Sequence, residues 1–162
     1  EEKMKKLTQL FASVLLIGIL SLSSLQSQAH CEIPCGIYGD SVRVALLYEH
    51  FTTIEKSMNQ IKELSSQETP DYNQLVRWVN NKEEHALKVQ EIVSQYFLHQ
   101  RIKPTSADNE EAYRKYLKQL ELLHHVLVFA MKSKQTTDVA HVETMREKLH
   151  AFEHTYFEDH KH

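Results

Sequence analysis

The chain has 162 residues, 41% of them hydrophobic, with a formal net charge of −3 and only three glycines, three prolines and two cysteines. That length suits one ordinary domain, and the scarcity of Gly and Pro points to regular structure throughout. The mild acidity argues against nucleic acid as a partner, and two cysteines are too few for a disulfide-stapled scaffold.

The N-terminus reads as a leader. Lys3, Lys5 and Lys6 precede the apolar stretch "FASVLLIGIL", and Ser27-Gln28-Ala29 forms a small-residue exit. This is the pattern of a secretory signal peptide, whereas a bilayer span needs about 20 apolar residues. The expected organisation is a cleaved leader over 1–29, an irregular segment over 30–40 and a helical domain over 41–162. Cleavage after Ala29 by a signal peptidase makes His30 the new N-terminus and places the protein outside the cytoplasm, either periplasmic or secreted. The leader carries three lysines against two glutamates, so the remaining 133 residues have a net charge of −4.

Four apolar stripes follow. Val44, Leu47, Phe51, Ile54, Met58, Ile61 and Leu64 alternate steps of three and four, as one face of a long helix does. "SSQETP" breaks it. Leu75, Val76, Val79, Val89, Ile92, Val93, Tyr96 and Phe97 mark a second helix, closed at Lys103-Pro104. A third is expected from about Asp108 to Lys134, with Tyr113, Tyr116, Leu117, Leu120, Leu123, Leu127 and Met131 facing inward. Its N-cap is expected within "TSAD", with Glu110 and Glu111 in the first turn. Val139, Val142, Met145, Leu149, Phe152 and Tyr156 define the fourth. Long helices joined by short turns predict an all-α, antiparallel four-helix bundle, preceded by the irregular N-terminal segment.

That segment holds the chemistry. "HCEIPCGIY" places His30, Cys31, Cys35 and Tyr38 within nine residues, with Pro34 and Gly36 as turn formers. A free His30 amine, the Cys31 amide nitrogen and the two thiolates can surround one metal in a plane, with the His30 imidazole over one face. Such a set suits nickel(II) or copper(II) better than tetrahedral zinc. A Cys31–Cys35 disulfide and a zinc hook are the competing readings, and both are compatible with the spacing. Neither needs a histidine at the cleavage point, which shifts the balance towards the planar centre.

These residues resemble the metal hook of the nickel-containing superoxide dismutases. The resemblance continues more weakly through Lys82-Glu83-Glu84 and Lys103-Pro104. It implies a four-helix bundle that assembles as a homohexamer, with one nickel ion per subunit and superoxide as substrate. It implies dismutation to dioxygen and hydrogen peroxide by nickel(II)/nickel(III) cycling. The ligands it implies are the amine and imidazole of His30, the Cys31 amide nitrogen, and the Cys31 and Cys35 thiolates. Tyr38 matches the tyrosine over the open metal face. Glu32 replaces a more usual aspartate, and Arg101-Ile102 replaces an aromatic pair. A glutamate–arginine brace for the axial histidine, present in some members, has its counterparts near Leu46 or Leu47 and near His85, so it is absent here. Lys103 and Arg101 are candidates for guiding the anionic substrate.

Two alternatives remain. Glu121-x-x-His124 and Glu147-x-x-His150 have the spacing of di-iron bundle ligands, although Glu147 lies beside its apolar stripe rather than on it. The other is an exported helical binding or stress protein with a Cys31–Cys35 disulfide and no catalysis.

Overall fold

The computed structural model describes residues 39–157, all within one compact unit that spans Pro34–His162. The signal-peptide segment, His30, Cys31, Cys35 and Tyr38 lie outside the described residues.

Four helices run in chain order: α1 (Asp40–Ser65), α2 (Tyr72–Glu91), α3 (Glu110–Gln135) and α4 (Ala140–Phe157). A π-helical segment, Ile92–Arg101, prolongs α2. No strand occurs among the described residues. α1 packs on α2 and α4, and α3 packs on the same two, so the helices close a ring of neighbours. Short connections make successive helices antiparallel, as expected for an up-and-down bundle.

Local chemistry sets the helix ends. The Asp71 carboxylate accepts from the Gln74 amide at 3.1 Å and caps α2. Asp138 accepts from the Ala140 amide at 3.1 Å at the start of α4. Asn109 accepts from the Ala112 amide at 3.2 Å and caps α3. That cap falls just past "TSAD", where Ser106 and Asp108 instead bond each other at 2.8 Å. The C-terminal end of α3 is closed by a side chain from another helix. Lys82 Nζ donates to the carbonyls of Ser133 (2.8 Å), Lys134 (2.6 Å) and Thr136 (3.2 Å). A cation there satisfies carbonyls that the helix itself leaves without donors and complements the helix dipole. These bonds account for a lysine only 4% exposed.

The core follows the α1 and α4 stripes closely. Val44, Leu47, Phe51, Ile54 and Met58 are buried from α1, and Val142, Met145, Leu149 and Phe152 from α4. The α3 stripe differs from the sequence expectation. Leu117 and Met131 are exposed at 45% and 39%, while Leu122, Leu123, Val126 and Ala130 are buried. The inward face also carries Gln119 and Ser133, whose polarity masks it. Gln119 is accommodated because its amide donates to the Thr155 carbonyl at 3.2 Å, and Ser133 because its hydroxyl bonds the Phe129 carbonyl at 2.9 Å. On α2, Val76 is also exposed, at 54%.

Candidate functional site

The up-and-down order brings four helix termini to one end: the start of α1, the end of the π segment, the start of α3 and the end of α4. Tyr38 is covalently joined to Gly39, so the segment carrying the candidate ligands is tethered at this end. Cys35 lies five residues before Asp40, which limits its Cα to within about 18 Å of the Asp40 Cα.

Asp40 is the hub of this end. Tyr96 Oη donates to its Oδ1 at 2.5 Å, and Tyr156 Oη donates to its Oδ2 at 2.8 Å. Arg101 Nε lies 2.9 Å from Oδ1 and forms an ion pair with it. Arg101 Nη2 also donates to Tyr96 Oη at 2.9 Å, and its guanidinium sits 4.9 Å from the centroid of that ring. Two elements, the π segment and α4, are thus fastened to the residue that starts α1. Phe97 and Phe152 support the tyrosines from inside, with Phe97 5.2 Å from Phe152 and 5.8 Å from Tyr156 between ring centroids.

The electrostatics match the geometry. Burial alone would raise the Asp40 carboxyl. The bonds from Tyr96 and Tyr156 and the charge of Arg101 outweigh it and hold the group below its ordinary value. Burial and the neighbouring carboxylate push the Tyr156 and Tyr96 phenols up, so both stay protonated donors. A carboxylate in the first turn is also favoured by the α1 dipole.

Beside this hub lies a cavity of about 460 Å³, lined by Asp40, Arg101, Lys103, Lys115, Tyr116 and Tyr156 among others. Three cations face one carboxylate there. Arg101, read from sequence as a guide for an anion, is committed to the Asp40 hub, whereas Lys103 lines the cavity without such a contact to Asp40.

Sequence reasoning missed the hub. The apolar pattern places Tyr96 and Tyr156 on core stripes, and their rings are packed there. Their hydroxyls carry a second role that becomes readable only when the antiparallel order places Asp40, Arg101 and both tyrosines at one end.

The other candidates separate. Glu121, His124, Glu147 and His150 are exposed, and the two glutamates pair with Lys118 and Lys148 at 3.0 Å. Among the described residues no group of three or more His, Cys, Asp or Glu could hold a metal ion. The di-iron arrangement is therefore absent from the described bundle. Where a glutamate–arginine brace would lie, Leu47 is buried in the core, and His85 meets His50 with their Nδ1 atoms 3.0 Å apart.

The residue types of the tethered segment, one imidazole, one amide nitrogen and two thiols, with an amine as well if His30 is the N-terminus, fit nickel. Deprotonated sulfur and nitrogen donors supply the charge that makes its oxidation accessible, and no group of three or more side chains that could hold a metal ion occurs among the described residues.

Comparison with known families matches residues 25–161 to the model described as nickel-containing superoxide dismutase. No curated protein and no solved structure shows a significant match. The matched span includes His30 to Tyr38 together with the whole described bundle.

Proposed function

Because this chain belongs to the nickel-containing superoxide dismutases, an oxidoreductase family that converts superoxide to dioxygen and hydrogen peroxide with a nickel cofactor, we propose that the cofactor is held by the His30–Cys35 hook. The ligands are the amine and imidazole of His30, the amide nitrogen of Cys31, and the thiolates of Cys31 and Cys35. Bound nickel supplies one-electron chemistry between its +2 and +3 states. The match of residues 25–161, which spans hook and bundle together, carries the reading. Nothing in the comparisons favours a non-catalytic exported protein.

The chain's own residues divide the remaining work. Two superoxide ions and two protons yield one dioxygen and one peroxide, so protons must reach the site. Tyr38, three residues beyond Cys35 in sequence, would supply them together with water. The Asp40 hub positions the segment that carries Tyr38, fixing the first residue of α1 against α4 and the π segment. Lys103, on the cavity at the same end, gives local positive charge in an otherwise acidic domain and draws the anionic substrate.

Maturation belongs to the same reading. The amine of His30 becomes a ligand only when Ala29 is removed, and the apolar leader lies almost wholly before residue 25, where the family match begins. A signal peptidase therefore frees the hook during export to the periplasm or the exterior. Assembly as a homohexamer rests on the family resemblance.

Intact mass and N-terminal sequencing of the exported protein, together with its nickel content, test this reading. A chain beginning at His30 with one nickel per subunit is expected. An active protein that begins even one residue earlier would contradict it, because an acylated His30 nitrogen is a poor ligand.

A further inference from the structure

His50 on α1 and His85 on α2 meet across the groove between those helices. Their Nδ1 atoms are 3.0 Å apart, and their rings stand at 78° with centroids separated by 4.9 Å. Two nitrogens at this distance share one hydrogen, one imidazole donating and the other accepting. Both rings are partly buried, and burial, followed by neighbouring positive charge, lowers both pKa values below the ordinary one. The imidazoles are therefore neutral at neutral pH, the form that binds metal ions.

The spacing is also that of two adjacent ligands on one ion. Metal–imidazole bonds of about 2.0–2.1 Å place two nitrogens about 2.9 Å apart when they meet the ion at a right angle, and about 3.4 Å apart in a tetrahedron. The observed 3.0 Å matches the right-angled case. We propose that His50 and His85 form a second metal site, separate from the hook, for a divalent ion that takes ligands at right angles, nickel(II) or copper(II).

Glu49 lies close enough to His50, and Glu84 to His85, to favour positive charge at the pair; Lys88 opposes it. Lys88 is itself neutralised by Glu84 at 2.6 Å. With no third protein donor in reach, water completes the coordination. Occupancy requires the donating ring to move its proton from Nδ1 to Nε2, so no net proton is released. The ion then links α1 to α2 and stiffens that helix pair.

The site does not depend on the hook, and its test removes the hook's contribution. The full chain carrying Cys31→Ser and Cys35→Ser is titrated with nickel(II) alone, and separately with copper(II) alone, by equilibrium dialysis and thermal unfolding. The tightest equivalent and the upward shift in unfolding temperature are expected to disappear in His85→Gln and in His50→Gln. Both variants keep a side chain that can hydrogen-bond, and far-UV circular dichroism reports that they remain folded. His150→Ala/His154→Ala, which removes the other close histidine pair, should keep both effects. Unchanged binding in His50→Gln and His85→Gln overturns the site, as does loss of the tight equivalent only in the His150/His154 variant. Neither result bears on dismutase activity of the intact hook.

Discussion

Tyr156, in the last turn of α4, donates to the carboxylate of Asp40, the first residue of α1, at 2.8 Å. One bond thus ties the two ends of the described chain together, beside the point where the hook segment joins. Tyr156→Phe is expected to cost about 1 kcal/mol and Asp40→Asn about 1–3 kcal/mol, since the latter also leaves Arg101 without its counter-charge. Urea denaturation of each variant checks the values. If Asp40 positions the hook, Asp40→Asn also loses dismutase activity at full nickel occupancy; equal activity per bound nickel would restrict Asp40 to a purely structural role.

The pH dependence of the hub has a defined sign. The folded Asp40 carboxyl lies below its ordinary value, so its contribution is complete above about pH 4 and is lost as pH falls through the lower, folded value. The stability difference between wild type and Asp40→Asn should hold steady from neutral pH to about pH 4 and shrink below it. The phenols of Tyr48 and Tyr156 are raised well above their ordinary value. Their contributions are complete below about pH 10 and fade as pH rises through the folded values. Denaturation midpoints across the pH range give both limbs.

Lys82 closes α3 from within the bundle. Lys82→Met keeps the aliphatic stem but leaves the Ser133, Lys134 and Thr136 carbonyls without their donor. The expected loss is about 2–3 kcal/mol. Lys82→Arg should not restore it, because a planar guanidinium cannot place one nitrogen at three carbonyls. Thermal unfolding of the pair of variants distinguishes this cap from a simple charge effect.

The legible parts of the fold were those where polarity and burial agree. On α1 the stripe from Val44 to Met58 is buried throughout, and the one polar side chain buried beside it, Ser57, bonds the Thr53 carbonyl at 2.8 Å. On α3 the agreement fails, because Gln119 and Ser133 are buried with backbone partners while Leu117 and Met131 remain on the surface. The π segment has no marker, since Ile92–Arg101 contains neither Gly nor Pro. Its wider turn is instead visible in backbone pairing, with the Ile102 amide bonded to the Phe97 carbonyl at 2.9 Å. The family was legible from residue types alone, because an imidazole and two thiols within six residues behind a leader have few other uses. The Asp40 hub was not, because it joins residues 40, 96, 101 and 156 through tertiary contact only.

His30 has a separable role within the proposed hook. The amine, the amide nitrogen and the two thiolates would hold nickel without its imidazole, whose nitrogen would favour the oxidised ion. His30→Gln, processed normally, is expected to retain nickel but lose most of its activity and its oxidised-nickel paramagnetic signal. Full activity would remove the imidazole from the mechanism, and loss of nickel would show that the other four donors do not suffice.

The central claim is that the two thiolates hold the catalytic nickel and leave folding to the bundle. Its most direct test is the nickel content and superoxide dismutase activity of processed wild type and Cys35→Ser, measured on the same preparations with far-UV circular dichroism. The account predicts one nickel per subunit with activity in the wild type, and neither nickel nor activity in a variant that keeps its helical spectrum. A Cys35→Ser protein that retains both nickel and activity, or one that loses its helices, would contradict it.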